Sequence, residues 1–208
     1  MRKTCLDLVV GIDLDNTIIS YDRVFLHEAR VLGFVTDDFV GTKREIRDRI
    51  RLLPGGEIEW QRLQARVYGP AIAGAVVADG ALDFIERLRS LGAAVSIVSH
   101  KTAFSSLSES PVNLRDAARG WLRKSGIIAP DRVAEENLYF EDTRADKIAR
   151  IVELRCTHFI DDLEEVFDDP AFPADVERLL FAAAATVPHR RYPAYASFHE
   201  IGDVIFAA

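Results

Sequence analysis

Residues 8–17, Leu-Val-Val-Gly-Ile-Asp-Leu-Asp-Asn-Thr, restrict the fold more than any other stretch of this chain. A short apolar run of this kind reads as a buried strand. It stops abruptly on two carboxylates one residue apart, Asp13 and Asp15, followed by the small polar residues Asn16 and Thr17. In a parallel α/β sheet, ligands bind beyond the carboxyl ends of the strands, so this strand delivers its acids to the functional edge.

The remainder of the chain divides by pattern. Between residues 21 and 78, helical spacing over 25–32, 43–53 and 58–72 is punctuated by Gly33, Gly41, Pro54-Gly55-Gly56 and Gly69-Pro70, with no strand-like alternation. This predicts a compact all-helical insertion. It is locally basic through Lys43, Arg44, Arg47, Arg49, Arg51, Arg62 and Arg66. From Asp79-Gly80 onward, helices alternate with short apolar runs, the signature of βαβ units. Helices are expected over 81–91, 113–124, 143–154 and around 175–178. Strands are expected over 93–98, 137–140, 157–160 and 179–183, with a helix or strand closing the chain near 201–206. The expected fold is α/β, a Rossmann-like parallel sheet flanked by helices, with residues 1–20 and 79–208 as the core and 21–78 as a small all-helical cap insertion.

The formal net charge of −7 over 208 residues argues against a nucleic-acid binder, whose footprint should be basic. Cys5 and Cys156 have no metal-like spacing and are too few for a disulfide framework, so both are expected as reduced thiols. Asp7, Asp13 and Asp15 interrupt any export-length apolar region, and no window reaches the length of a membrane span. A cytoplasmic protein acting away from membranes is the expectation.

Three expected strands end in polar residues: Asp13 and Asp15, then Ser99, then Asp161 and Asp162. If the strands are parallel neighbours, four carboxylates and a hydroxyl converge on one edge. Two like charges about 4 Å apart repel by roughly 4 kcal/mol at an effective dielectric near 20, so such a cluster implies a cation. Oxygen-only ligands favour a hard metal, with Mg²⁺ the default. A lysine should balance the remaining charge and meet a substrate anion. Lys147, in the helix before the Asp161 strand, is preferred, and Lys101, two residues after Ser99, competes with it.

Asp-Leu-Asp-Asn-Thr at 13–17, Ser99 at a strand end, Lys147 in a helix and Phe-Ile-Asp-Asp at 159–162, in that order, resemble the four motifs of the haloacid dehalogenase (HAD) superfamily. The insertion falls where that superfamily places its type-1 cap. Two departures stand out: no Pro follows Lys147, and Phe159-Ile160 replaces the Gly that often precedes the final acid. The resemblance implies Asp13 as a nucleophile that forms an aspartyl-phosphate, and Asp15 as the acid and base that moves protons. It implies Mg²⁺ bound by Asp13, the Asp15 carbonyl and Asp161, with Asp162 as ligand or neighbour. Thr17, Ser99 and Lys147 would hold phosphoryl oxygens. The dehalogenase and phosphonatase branches lack an acid at the second position, so Asp15 favours phosphoryl transfer.

The expected function is a Mg²⁺-dependent phosphatase of a small phosphorylated metabolite. A phosphomutase or phosphotransferase of the same superfamily is the enzyme alternative; a receiver-like or non-catalytic phosphate-binding protein is the alternative of another class. The order of motifs counts against a receiver, which carries its acid pair first. His100, Lys101, Arg51 and Arg66 are candidate substrate contacts. The plain reading makes His100 a loop residue, the arginines a solvated helix face, and Trp60 and Tyr68 the core of the insertion.

Overall fold

The computed structural model describes residues 8–105, 112–182 and 191–207. By its contacts the chain divides into two compact units. The first comprises residues 1–19, 77–101 and 123–208, and the second 20–76 with 102–122.

The first unit begins with β1 (Val9–Ile12), the apolar run that precedes Asp13. The chain next forms β2 (Ile19–Ser20), then α1 (Asp22–Val31), α2 (Lys43–Arg51) and α3 (Gly56–Tyr68), and returns through β3 (Val76–Val77), which pairs with β2. There follow α4 (Ala81–Ser90), β4 (Ala94–Ser99), α5 (Leu114–Lys124), β5 (Leu138–Phe140), α6 (Arg144–Glu153) and β6 (His158–Asp161). The last elements are α7 (Glu164–Phe167), β7 (Glu177–Phe181), β8 (Ala194–Tyr195) and α8 (Phe198–Phe206).

Among the described residues, six strands form one sheet in the order β5-β4-β1-β6-β7-β8, and every adjacent pair is parallel. The α/β architecture is therefore as expected. β1 lies between β4 and β6, with Ile12 level with both Ile97 and Ile160. That register puts the carboxyl ends of the three polar-ended strands side by side. Alternation along the strands then sorts the core. Val98, Phe159 and Leu180 join Ile148 and Ile151 of α6 and Phe167 and Phe172 in one buried cluster. On the other face Phe181 meets Phe198 of α8, which meets Phe84 of α4.

Local chemistry fixes the element ends. α4 stops in a Schellman closure: Gly92, at φ +79°, donates to Arg89 and lets Ala93 N–H reach Leu88 C=O at 3.0 Å. Thr143 caps α6, its hydroxyl accepting from Asp146 N–H. Ser197 does the same for α8 through Glu200 N–H.

In the second unit, α2 opens with a capping box between Thr42 and Glu45. Trp60 stacks on Phe25 with centroids 5.3 Å apart, while Tyr68 meets both Phe25 and Tyr21 edge-on. Trp60 is core, as the plain reading has it, with Phe25 and Tyr21, whereas Tyr68 is half-buried against them. Residues 102–122, which sequence pattern assigns to the core with the rest of 79–208, group instead with the helical unit. Leu114 N–H donates to Ala103 C=O at 2.8 Å, and Trp121 Nε1 donates to Ala75 C=O at 3.3 Å.

Three expectations about individual elements differ from the structure. Residues 175–178 are not a helix: β7 begins at Glu177 and pairs with β6 from His158 onward. The insertion is not purely helical at its exit, where Val76–Val77 is extended. β8 lies where no element was expected. The strand expected over 179–183 is found as β7 up to Phe181, residue 183 lying outside the described residues, as does Cys5. Among the described residues, no helix is long and apolar enough to cross a membrane.

Candidate active site

The site is built at the carboxyl ends of β1, β4 and β6. Asp13 continues the β1 ladder, its N–H donating to Ile160 C=O at 2.8 Å, so its main chain is held in the sheet. The chain then turns sharply. Asn16 takes the left-handed conformation at φ 63°, which Asn tolerates better than most residues. Asn16 N–H donates to Ile19 C=O, and both Ile18 and Ile19 N–H groups turn back to Leu14 C=O. Leu14, Ile18 and Ile19 are fully buried, which anchors this turn against the sheet.

Lys147 projects from α6, the helix whose first turn Thr143 caps, and is 0% exposed. Its Nζ donates to Asp13 Oδ1 and Asp161 Oδ2, both at 2.6 Å. Short charge-assisted bonds of this kind are the strongest in proteins, and breaking a buried pair costs about 3–5 kcal/mol. Asp161 also accepts from Leu163 N–H at 3.0 Å through Oδ1, which fixes its second oxygen. The rival lysine is engaged elsewhere. Lys101 Nζ donates to both carboxylate oxygens of Asp15 at 2.9 Å. The choice between Lys147 and Lys101 thus resolves into two lysines on two different acids, an arrangement the order of motifs does not reveal.

Electrostatics follow from burial. Burial pushes Asp13 up from 3.8 to about 6, opposed by the Lys147 ammonium and reinforced by the Asp161 charge. Asp161 is raised by burial too, again against the pull of Lys147. Burial alone would lower Lys147, but its two carboxylate partners raise it above the usual lysine range. Two buried carboxylates facing one ammonium leave an excess negative charge. Asp13, Asp161 and Asp162 each offer an oxygen, and these atoms lie within 4.8 Å of one another. A hard divalent cation fits both the donor set and the uncompensated charge. The Asp15 carboxylate is not part of that trio.

Ser99 closes β4 and is 2% exposed, its carbonyl accepting from Glu141 N–H at 2.8 Å. Thr17 Oγ1 and His100 Nδ1 are buried with no hydrogen-bond partner. His100 is held below the usual histidine range, by burial first and by the Lys147 charge next. Arg51 and Arg66 belong to the second unit, where Arg51 pairs with Glu57 at 2.7 Å and Arg66 with Glu28. Both candidate arginines therefore already carry a carboxylate partner. Thr143, within Phe-Glu-Asp-Thr-Arg at 140–144, caps the helix that carries Lys147.

The parallel α/β sheet gathers carboxylates, a hydroxyl and a buried ammonium at the ends of its central strands, and its acidic trio suggests a metal site. No protein-family model matches the chain, and no curated protein matches it in sequence. Solved structures match its fold. A HAD-superfamily hydrolase of subfamily IA from Geobacter sulfurreducens is 12% identical, with a TM-score of 0.58, covering 95% of this chain and 96% of its own. A haloacid dehalogenase-like protein from Agrobacterium tumefaciens is 14% identical with a TM-score of 0.56, covering 96% and 97%. A HAD family hydrolase from Deinococcus radiodurans, solved with bound phosphate and sodium, is 13% identical with a TM-score of 0.54, covering 99% and 97%. The fold of this chain is that of the HAD-superfamily hydrolases.

Proposed function

We propose that this chain is a HAD-superfamily phosphatase that hydrolyses a small phosphomonoester with Mg²⁺ bound, residues 21–78 serving as its cap. The observation that carries the reading is Lys147 bridging Asp13 and Asp161 from a fully buried position. The phosphate in the Deinococcus radiodurans structure is consistent with it. Asp15 supports phosphoryl transfer over dehalogenation, since only the former needs a second acid to shuttle a proton.

Asp13 attacks phosphorus through a carboxylate oxygen, forming an O–P bond as the bond to the leaving oxygen breaks. Asp15 gives its proton to that leaving oxygen. Asp15 then accepts a proton from the water that attacks the aspartyl-phosphate, regenerating Asp13 and releasing inorganic phosphate. Lys147 keeps Asp13 oriented and balances charge as the phosphoryl group approaches. Ser99 and Thr17, whose buried hydroxyl oxygen has no hydrogen-bond partner, would meet phosphoryl oxygens. Asp13, Asp161, Asp162 and the Asp15 carbonyl would hold Mg²⁺, which when bound supplies further stabilisation of charge on the transferring group.

The test is release of inorganic phosphate from p-nitrophenyl phosphate and a panel of phosphorylated metabolites with Mg²⁺. Wild-type protein should release phosphate, and Asp13→Asn should release none while remaining folded. Unchanged turnover by Asp13→Asn would sink the mechanism, and transfer between sugar positions without phosphate release would point to a mutase.

A further inference from the structure

We infer that Lys101 positions the Asp15 side chain for the proton transfers it makes, first to the leaving group and then from water. This rests on the phosphatase reading and assigns a residue to one step of it. Lysine is among the residue types least often buried, yet Lys101 is only 6% exposed. Its ammonium engages both Asp15 oxygens at equal distance, 2.9 Å, which tethers the two oxygens symmetrically to one point. The Asp15 side chain retains 23% exposure, so it stays accessible to an incoming molecule while held by the lysine.

The main-chain turn at Asn16 sets where Asp15 leaves the sheet, but it does not set the side-chain torsions. Lys101 does. Displacing a catalytic group by about 1 Å can cost on the order of a hundredfold in rate. The site thus divides its two lysines: Lys147 holds the acid that bonds to phosphorus, and Lys101 holds the acid that moves protons. Lys101 acts through Asp15, so its contribution should scale with how much the leaving group needs a proton.

The experiment compares wild type, Lys101→Met and Lys101→Arg, with Mg²⁺, on two esters. Nitrophenolate leaves p-nitrophenyl phosphate with little need of protonation, whereas the alkoxide of glycerol 2-phosphate needs it. Lys101→Met should lower kcat/KM for glycerol 2-phosphate by about a hundredfold, the lower end of general acid–base contributions, and for p-nitrophenyl phosphate by only about threefold. Lys101→Arg, which can still grip both oxygens, should recover most of the loss. In an Asp15→Asn background, Lys101→Met should cost nothing further on p-nitrophenyl phosphate. Equal losses on the two esters, or a further loss in that background, would mean that Lys101 meets the phosphoryl group and would overturn the assignment alone. No turnover of either ester by wild type would overturn the phosphatase reading along with it. Circular dichroism checks that each variant is folded, and Lys101→Gln replaces Lys101→Met if the latter is not.

Discussion

Asp13→Asn should make the metal-free protein gain stability relative to wild type as pH rises, while destroying its chemistry. Burial carries the Asp13 carboxyl from 3.8 to about 6, and each pKa unit is worth about 1.36 kcal/mol. Keeping that carboxylate ionised in the native state at pH 7 therefore costs about 3 kcal/mol. The native protein binds this proton more tightly than the unfolded chain does. Its stabilising effect is full at low pH and is lost as pH rises from about 4 to about 6. Asn keeps the shape and carries no such proton. In EDTA, the stability of Asp13→Asn relative to wild type should grow by about 2–3 kcal/mol between pH 4 and pH 7. Urea unfolding followed by tryptophan fluorescence, repeated across that range, reads the difference directly. A divalent cation should close the gap, since ligand at a hundredfold its Kd adds about 2.7 kcal/mol to a native state that binds it. A difference that stays flat with pH, or that shrinks as pH rises, would refute the argument.

Three further perturbations probe the same scaffold. Lys147→Met leaves Asp13 and Asp161 facing each other without their shared ammonium and should cost about 3–5 kcal/mol at pH 7 in EDTA; an unmoved urea midpoint would contradict the bridging geometry. Gly11→Ala would set a methyl carbon 2.5 Å from Phe159 Cδ2 and 3.0 Å from Cys156 Sγ, an overpacking worth about 1–3 kcal/mol that a thermal melt should register. Burial pushes the Cys156 thiol up to about 12. With Cys5 replaced by Ser, a thiol reagent at pH 8 should therefore modify native protein far more slowly than unfolded protein, and equal rates would be the contrary result.

The strands that build the site were legible because each apolar run ends abruptly in a polar residue. β1, β4 and β6 all show this break, at Asp13, Ser99 and Asp161. β7 was misread at its start for a physical reason. Val176, Leu179 and Leu180 are buried at a spacing that also suits a helix, and pairing with β6 decides the outcome. β8, of two residues, is too short to leave any periodic trace. The grouping of 102–122 with the helical unit was invisible because α5 has the same amphipathic pattern as a crossover helix. At the site, residue order pointed to a lysine for the acids but could not show that each of two lysines would take a different one. That distinction depends on side-chain reach across β1, β4 and α6, which no linear spacing records.

The missing side chain at Gly11 governs more than sheet packing. The Phe159 ring fills the space beside it, and the Lys147 ammonium rests 5.4 Å from the centroid of that ring. Gly11 therefore acts as a reference surface from which the lysine, and through it Asp13, is aligned. Error introduced there would pass through an aromatic ring to a charge without altering a single polar residue. Substitutions that retune the chemistry belong at the strand ends, whereas those that spoil its alignment can lie among residues with no chemistry of their own.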